Sequence, residues 1–185
     1  QRIADLKPDL VILEKDENSK AVADALTGLG LPWIALEIRT LMDCMAAWMM
    51  LGKQFGALDQ AKARAAVLKA LLKPKSKAGP RTLTLIWKDP WISAGPDTYI
   101  GDLVRCAGFT PIGSERYPRL SEDALGALDP EVILLPTEPY RFNKRHAAEL
   151  QKRFPRALIH LVDGQAVTWY LSRTELGLEC LRTLL

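Results

Sequence analysis

Long hydrophobic runs are missing from this chain of 185 residues. No apolar stretch approaches the roughly 18–20 residues that carry a helix across a bilayer, which excludes a helical membrane span. Cysteine is scarce: Cys44, Cys106 and Cys180 share no metal-ligand spacing, and three thiols cannot all pair. Each lies in an apolar helical pattern, which predicts buried free thiols and leaves room for one disulfide. An excess of either charge is missing as well. Lys and Arg number 25 against 22 Asp and Glu, with the basic residues scattered, so no nucleic-acid partner is expected. Gly and Pro, at 12 each, are ordinary counts that exclude disorder and collagen-like sequence, and no heptad run points to a coiled coil.

Catalytic signatures are equally thin. The only two histidines, His146 and His160, have no second His, Cys or acid at ligand spacing, so structural roles are expected and no metal site. Ser93, Ser121 and Ser172 lack a nucleophile-elbow context, and no glycine-rich phosphate loop follows a strand. Gly28-Leu29-Gly30 closes a helix rather than opening one, so it is no dinucleotide fingerprint. Neither an enzyme nor a resident cofactor is expected. The opening residues, Gln1 to Leu6, do not read as a signal peptide.

What the chain does have is an α/β alternation that echoes itself. Leu6-Lys7-Pro8-Asp9-Leu10-Val11-Ile12-Leu13 resembles Leu128-Asp129-Pro130-Glu131-Val132-Ile133-Leu134-Leu135. In both, Pro beside an acid ends a helix and four apolar residues follow as a strand buried on both faces, as in a parallel sheet. After the first copy come a polar loop (14–18), a helix near 19–29 stopped by Gly30, and a strand at 32–36. After the second come a loop (136–142), a helix near 144–154 and a strand at 157–162. Two right-handed βαβ units are the economical reading. Ahead of the second copy stand a strand at 81–87, a helix at 98–107 stopped by Gly108, and a short helix at 122–128, completing a lobe over 80–185. The first half has only the tail of a matching helix upstream, so its lobe (1–56) is expected to be incomplete and the chain to be a fragment.

Between the halves, residues 40–73 read as helical with a break at Gly52–Gly56. Leu41, Cys44, Met45, Trp48, Met49 and Leu51 share a face that predicts core packing for the Met-Trp cluster. Asp59 is the expected N-cap of a second helix, rich in Ala and Lys, that connects the lobes across 57–79. Lys73-Pro74-Lys75-Ser76-Lys77 reads as a solvated linker.

Aromatic residues are only 7% of the chain, yet many gather in loops at the carboxyl ends of the expected strands, where open α/β sheets bind ligands. Trp91, Tyr117, Tyr140, Phe142, Trp169 and Tyr170 lie there. Such rings either stack on a broad, flat or chelated ligand or fold back to cap the lobe.

These residues also resemble a known family. Leu6-Lys7-Pro8-Asp9-Leu10-Val11-Ile12, Leu51-Gly52 before the Ala-rich helix, Ser93-Ala94-Gly95-Pro96-Asp97-Thr98-Tyr99-Ile100-Gly101-Asp102-Leu103 with Ala107-Gly108, and Leu120-Ser121-Glu122 with Leu128-Asp129-Pro130-Glu131-Val132-Ile133 look like the helical-backbone substrate-binding proteins of ABC importers. Val162-Asp163-Gly164 with Trp169-Tyr170 and Arg173 continues the pattern, which is most similar to the vitamin B12 and ferric-siderophore binders. The resemblance implies two Rossmann-like α/β lobes with parallel sheets joined by a long backbone helix, the N-lobe here incomplete. It also implies a metal-chelate or corrinoid ligand held in a cleft between the lobes, a periplasmic or other extracytoplasmic location, and delivery to an importer permease. Matched by position, the ligand-binding candidates are Glu14, Trp91, Ile92, Tyr117, Glu138, Tyr140, Trp169, Tyr170 and Arg173. The permease-docking acid of the second lobe falls at Glu122 or Asp123, and that of the first at the uncharged Gln1.

Three functions stand beside one another at this stage: a binding protein for cobalamin, a ferric siderophore or haem; a non-transport binding or sensor domain of the same fold; and an enzyme with a cryptic site. The strand at 10–13, apolar and open on one side, is further expected either to promote self-association or to leave the N-lobe only partly ordered.

Overall fold

The computed structural model describes residues 2–72, 78–113 and 115–185. Gln1 and the basic stretch 73–77, expected as a docking position and a linker, lie outside them. By compactness the chain divides between Ile38 and Arg39, whereas the expected lobe boundary passes between 56 and 57.

In the first unit, helix α1 (Arg2–Asp5) leads to strand β1 (Val11–Glu14), helix α2 (Lys20–Gly28) and strand β2 (Trp33–Leu36). The strands are parallel neighbours, Val11 opposite Trp33 and Glu14 opposite Leu36, as the βαβ reading requires. Gly30, at φ +66°, turns the chain after α2. Leu13, Leu26, Leu36 and Ile38 form the buried set. The expectation that the first strand is buried on both faces fails at Ile12, which is 45% exposed. Among the described residues β1 has one strand neighbour, β2.

The second unit begins with helix α3 (Leu41–Gln54) and helix α4 (Leu58–Leu71). Thr40 and Asp43 close a reciprocal cap on α3, each side chain binding the other's backbone N–H. The expected break lies later than Gly52, which is helical and buried. A Cβ on Gly52 would fall 2.4 Å from that of Ala61, so glycine here permits α4 to press against α3. Asp59 is not the cap either. Ala57 holds that position, its N–H bonding Gly52 O at 2.7 Å, and Asp59 sits in the first turn. The core reading of the Met-Trp cluster holds in part. Cys44 and Ala47 are buried, Met45, Trp48 and Met49 half-buried, and Met50 exposed.

Strand β3 (Arg81–Trp87), strand β4 (Trp91–Ala94), helix α5 (Tyr99–Ala107), strand β5 (Thr110–Pro111), strand β6 (Arg119–Leu120), helix α6 (Glu122–Ala127), strand β7 (Val132–Pro136), helix α7 (Lys144–Arg153), strand β8 (Leu158–Val162), helix α8 (Gly164–Thr168) and helix α9 (Thr174–Arg182) complete the unit. The sheet order is β6-β4-β3-β7-β8, with β5 also on β3. β3, β5, β7 and β8 are parallel, but β4 runs antiparallel to β3 and to β6. Sequence reading took 88–96 as a loop. Half of it is instead the return arm of a hairpin, because Trp91 to Ala94 alternate and pair with the end of β3.

Alternation along the strands sends Leu83, Leu85, Ile133 and Leu135 to one face, where Leu125, Leu150 and Phe154 of α6 and α7 and the following turn meet them. Thr82, Thr84, Val132 and Leu134 on the other face are buried as well. Helices α5, α8 and α9 pack on one another, and Leu103, Val104, Leu178 and Leu181 are sealed from solvent. The internal echo survives in the backbone: Lys7 and Asp129, each just before its proline, both adopt a left-handed φ, +49° and +43°.

One buried charge ties this unit together. Asp102, 5% exposed, accepts the Leu41 N–H at 2.8 Å and so satisfies an otherwise unpaired donor of the first turn of α3, while Arg105 pairs with its other oxygen. Replacing Asp102 by Ala orphans that donor and is expected to cost about 1–3 kcal/mol in urea unfolding. Asp59→Ala, on the exposed first turn of α4, should stay within about 0.5 kcal/mol in the same measurement.

Candidate functional site

The loops at the carboxyl ends of β3, β7 and β8 are where a ligand of this sheet would be met, and the structure sorts their rings by strand alternation. Trp91 and Ile92 are neighbours on β4 and point to opposite faces. Trp91 turns inward, 6% exposed, with its ring parallel to that of Phe142 at 6.4 Å. Its indole N–H donates to Glu122 Oε1 at 2.8 Å, and the Lys88 ammonium lies 5.0 Å from the ring centre. Arg153 donates to the Glu122 carboxylate and to its backbone carbonyl. These partners, the Arg153 guanidinium foremost and the indole next, hold the Glu122 carboxyl below the usual carboxylate range. For Trp91 and Phe142 the capping alternative therefore holds, and Trp91 has no exposed face for a stacking wall.

Tyr140 is half-buried in the same aromatic group, 4.7 Å from Phe142, edge-on to Trp87 at 5.5 Å and to His146 at 5.5 Å. His146 closes the N-terminus of α7: its Nδ1 accepts the Asn143 N–H while Asn143 Oδ1 accepts from the His146 N–H. The structural role expected for it is thereby explained. His160 lies on β8 with Nε2 buried and without a hydrogen-bond partner.

A second set of residues keeps its side chains outward. Tyr117 is 41% exposed, with the Arg116 guanidinium 5.6 Å over its ring. Arg116 Nε donates to Asp97 O at 3.0 Å, and Arg39 Nη1 reaches Asp97 Oδ2 at 3.5 Å. Trp169, 50% exposed, closes α8, a helix that sequence reading took as loop and that Asp163 caps through its side chain. Tyr170 packs edge-on against the buried Tyr99 at 5.7 Å. The Tyr99 hydroxyl lies 3.3 Å from Trp169 O and 3.1 Å from Thr174 Oγ1, whose own hydroxyl faces Cys44 Sγ at 3.8 Å. Burial raises the pKa values of the Tyr99 hydroxyl and of the Cys44 thiol. Gln165 Nε2 meets Glu138 Oε1 at 3.5 Å, linking the loops after β7 and β8. Ile92 and Arg173 are half-buried.

Glu14, in the first unit, spends its carboxylate on a turn. It accepts the N–H groups of Asp16 at 2.7 Å and Glu17 at 3.0 Å, and burial nonetheless shifts its pKa upward. Of the two docking candidates, Glu122 is engaged as described, and Asp123 is exposed in the first turn of α6. All three cysteines are free, Cys44 buried and the others half-buried. Among the described residues no three His, Cys, Asp or Glu side chains converge as a metal site would require. A cavity of about 400 Å³ between the first turn of α3 and α5, edged by Met42, Asp102 and Cys106, lies apart from the aromatic loops.

Sequence reasoning missed Trp87, Asp97 and Tyr99. A register shift between Leu85 and Trp87 sets two β3 residues against Ile92, and Trp87 is left 42% exposed. Only the Tyr99 position carried a signal, an aromatic one residue past a Thr cap.

No family model and no curated protein matches the chain. Solved structures do. A periplasmic vitamin B12-binding protein, BtuF of Vibrio cholerae, superposes at TM-score 0.82 and 18% identity over 98% of this chain and 75% of its own. A periplasmic heme-binding protein from Pseudomonas aeruginosa gives 0.80 at 23% over 98% and 73%. An ABC transporter substrate-binding protein from Listeria monocytogenes gives 0.81 at 21% over 100% and 79%. The chain thus has the two-lobe α/β fold of the helical-backbone substrate-binding proteins. Identities this low establish the fold alone.

The two sets of rings should separate on mutation. Trp91→Ala is expected to cost about 3–5 kcal/mol of stability as a core truncation, and Trp169→Ala less than about 1 kcal/mol. Because the folded Glu122 pKa is lowered, its contribution to stability is present above the unfolded carboxylate pKa and disappears as the pH falls through the folded one. Acid titration of the wild type against Glu122→Gln should show the difference shrinking over that interval, and carboxyl NMR of Arg153→Met should show the Glu122 pKa move up.

Proposed function

We propose that this chain is an extracytoplasmic substrate-binding protein that captures a metal chelate or corrinoid and delivers it to an ABC importer permease. The observation that carries the reading is the superposition on such proteins over essentially the whole chain. Exposed aromatic rings on the loops of the second unit agree with it. Tyr117 and Trp169 present broad faces to a planar or chelated ligand, with Ile92, Glu138, Tyr140, Tyr170 and Arg173 as further candidates. Trp91 supports these loops from inside. Cobalamin, haem and ferric siderophores are the ligands of choice. On the permease side Asp123 is the better docking acid, since the Glu122 carboxylate is already shared by Trp91 and Arg153.

Visible absorption after mixing with cobalamin, haemin or a ferric siderophore tests the ligand class directly, and a perturbed, saturable spectrum with one of them is expected. Unperturbed spectra with all three would remove the chelate reading. With the ligand so identified, Tyr117→Ala and Trp169→Ala should each weaken binding by about 1–3 kcal/mol, as truncation of aromatic anchors does. Asp123→Lys should leave that affinity intact and abolish uptake through the permease. Uptake unaffected by Asp123→Lys would remove Asp123 as the docking acid, whereas ligand binding with no uptake by the wild type would favour a sensor domain of the same fold.

A further inference from the structure

We propose that the outer edge of β8 is a dimerisation surface, on which a second copy of this chain pairs antiparallel about a twofold axis at His160. β8 is the last strand of its sheet, and among the described residues no strand takes its outer edge. The strand reads Leu158-Ile159-His160-Leu161-Val162, with Leu158 61% and Leu161 37% exposed. It holds no proline, lysine or bulge, the devices that keep edges unpaired in monomers. The opposite edge of the same sheet is guarded, since β6 is two residues long and carries Arg119.

The backbone specifies the register. In the parallel pairing with β7, Leu158 N–H bonds Glu131 O and Val162 O accepts from Thr137 N–H, so Leu158, His160 and Val162 turn their backbone groups inward. Ile159 and Leu161 therefore present theirs outward. Ala157 cannot join them, because its N–H bonds Phe154 O and its carbonyl accepts from Gln151 Nε2. A symmetric antiparallel pair that uses both outward residues has Ile159 of one copy opposite Leu161 of the other, twice, and His160 opposite itself. That register sets Leu158 across from Val162 of the second copy and Arg156, 3.5 Å from Asp129 Oδ1 of its own chain, across from the second copy's Gly164. Self-complementarity of the apolar side chains and of the outward backbone groups about His160 favours a second copy over an unrelated strand.

Sedimentation equilibrium of the full chain should show a dimer at concentrations up to about 1 mM. Ile159→Pro, which removes one outward N–H, and Leu161→Lys, which charges the seam, should each return a monomer with an unchanged circular dichroism spectrum. With Cys106 and Cys180 replaced by Ser, His160→Cys should oxidise to a covalent dimer, because a non-hydrogen-bonded pair stands about 4.5 Å apart at Cα and within disulfide reach. Leu161→Cys, displaced from the axis, should not. A wild type monomeric throughout overturns the proposal. So does a dimer that persists in Leu161→Lys, or one that dissolves instead on Ile12→Lys in β1. Every readout is independent of ligand and permease, so the proposal stands or falls apart from the transport reading.

Discussion

Strand β3 bonds to three neighbours, and the second unit is built outward from that fact. β7 takes one side of it, while β5 and β4 share the other, the first along Arg81 and Thr82 and the second from Thr84 onward. Handing over from a parallel to an antiparallel partner along one edge forces the chain between β5 and β6 to climb past β4, and this climb carries Arg116 and Tyr117. The hairpin fixes Trp91 inward and Ile92 outward, and β7 fixes the loop that bears Glu138 and Tyr140. Removing the strand's apolar alternation would leave none of these side chains with a defined direction.

Electrostatics refine what the sheet positions. Charges in this unit seldom stand alone: Asp102 ends a helix that is not its own, Glu122 joins Trp91 to Arg153, and Lys88 lies between Trp91 and Glu149 at 2.6 Å. Exposed pairs such as that of Glu122 and Arg153 contribute little to stability individually, whereas the buried Asp102 contributes more. Their effect is orientation, since each holds a loop ring or a helix end in one arrangement. Around Tyr117 the cations Arg39 and Arg116 converge on the single carboxylate of Asp97.

Much of this organisation was legible in the residues. The strand at 81–87 is found as read, Thr98 and Gly108 bracket α5, and the proline-led echo marks both β1 and β7. These signals are local, written by periodicity, caps and proline. β4 escaped because Pro90 and Pro96 frame a four-residue strand whose only support is its partner across the turn. The helical break and the cap of α4 were misplaced because Gly52 serves a contact with Ala61, nine residues away in sequence and invisible to local rules. Trp91 looked like a binding ring because nothing in its neighbourhood reveals Glu122 and Phe142, which come to it through the sheet. The structural likeness supports the fold that the motifs implied, whereas ligand-facing roles depend on side-chain directions that motifs do not encode.

The Tyr99 hydroxyl has one hydrogen to give and two acceptors in reach, Trp169 O and Thr174 Oγ1. If it bonds Trp169, Thr174 is free to donate to Tyr99 in turn, and the chain of hydroxyls points outward to the exposed loop. If it bonds Thr174, that hydroxyl is directed to the Cys44 sulfur and the loop carbonyl is released. Reversing the two O–H bonds requires no change of side-chain rotamer and no exchange of protons with solvent. The Trp169 carbonyl accordingly has two bonding states of the same composition, selected by the sense in which a buried pair of hydroxyls is polarised.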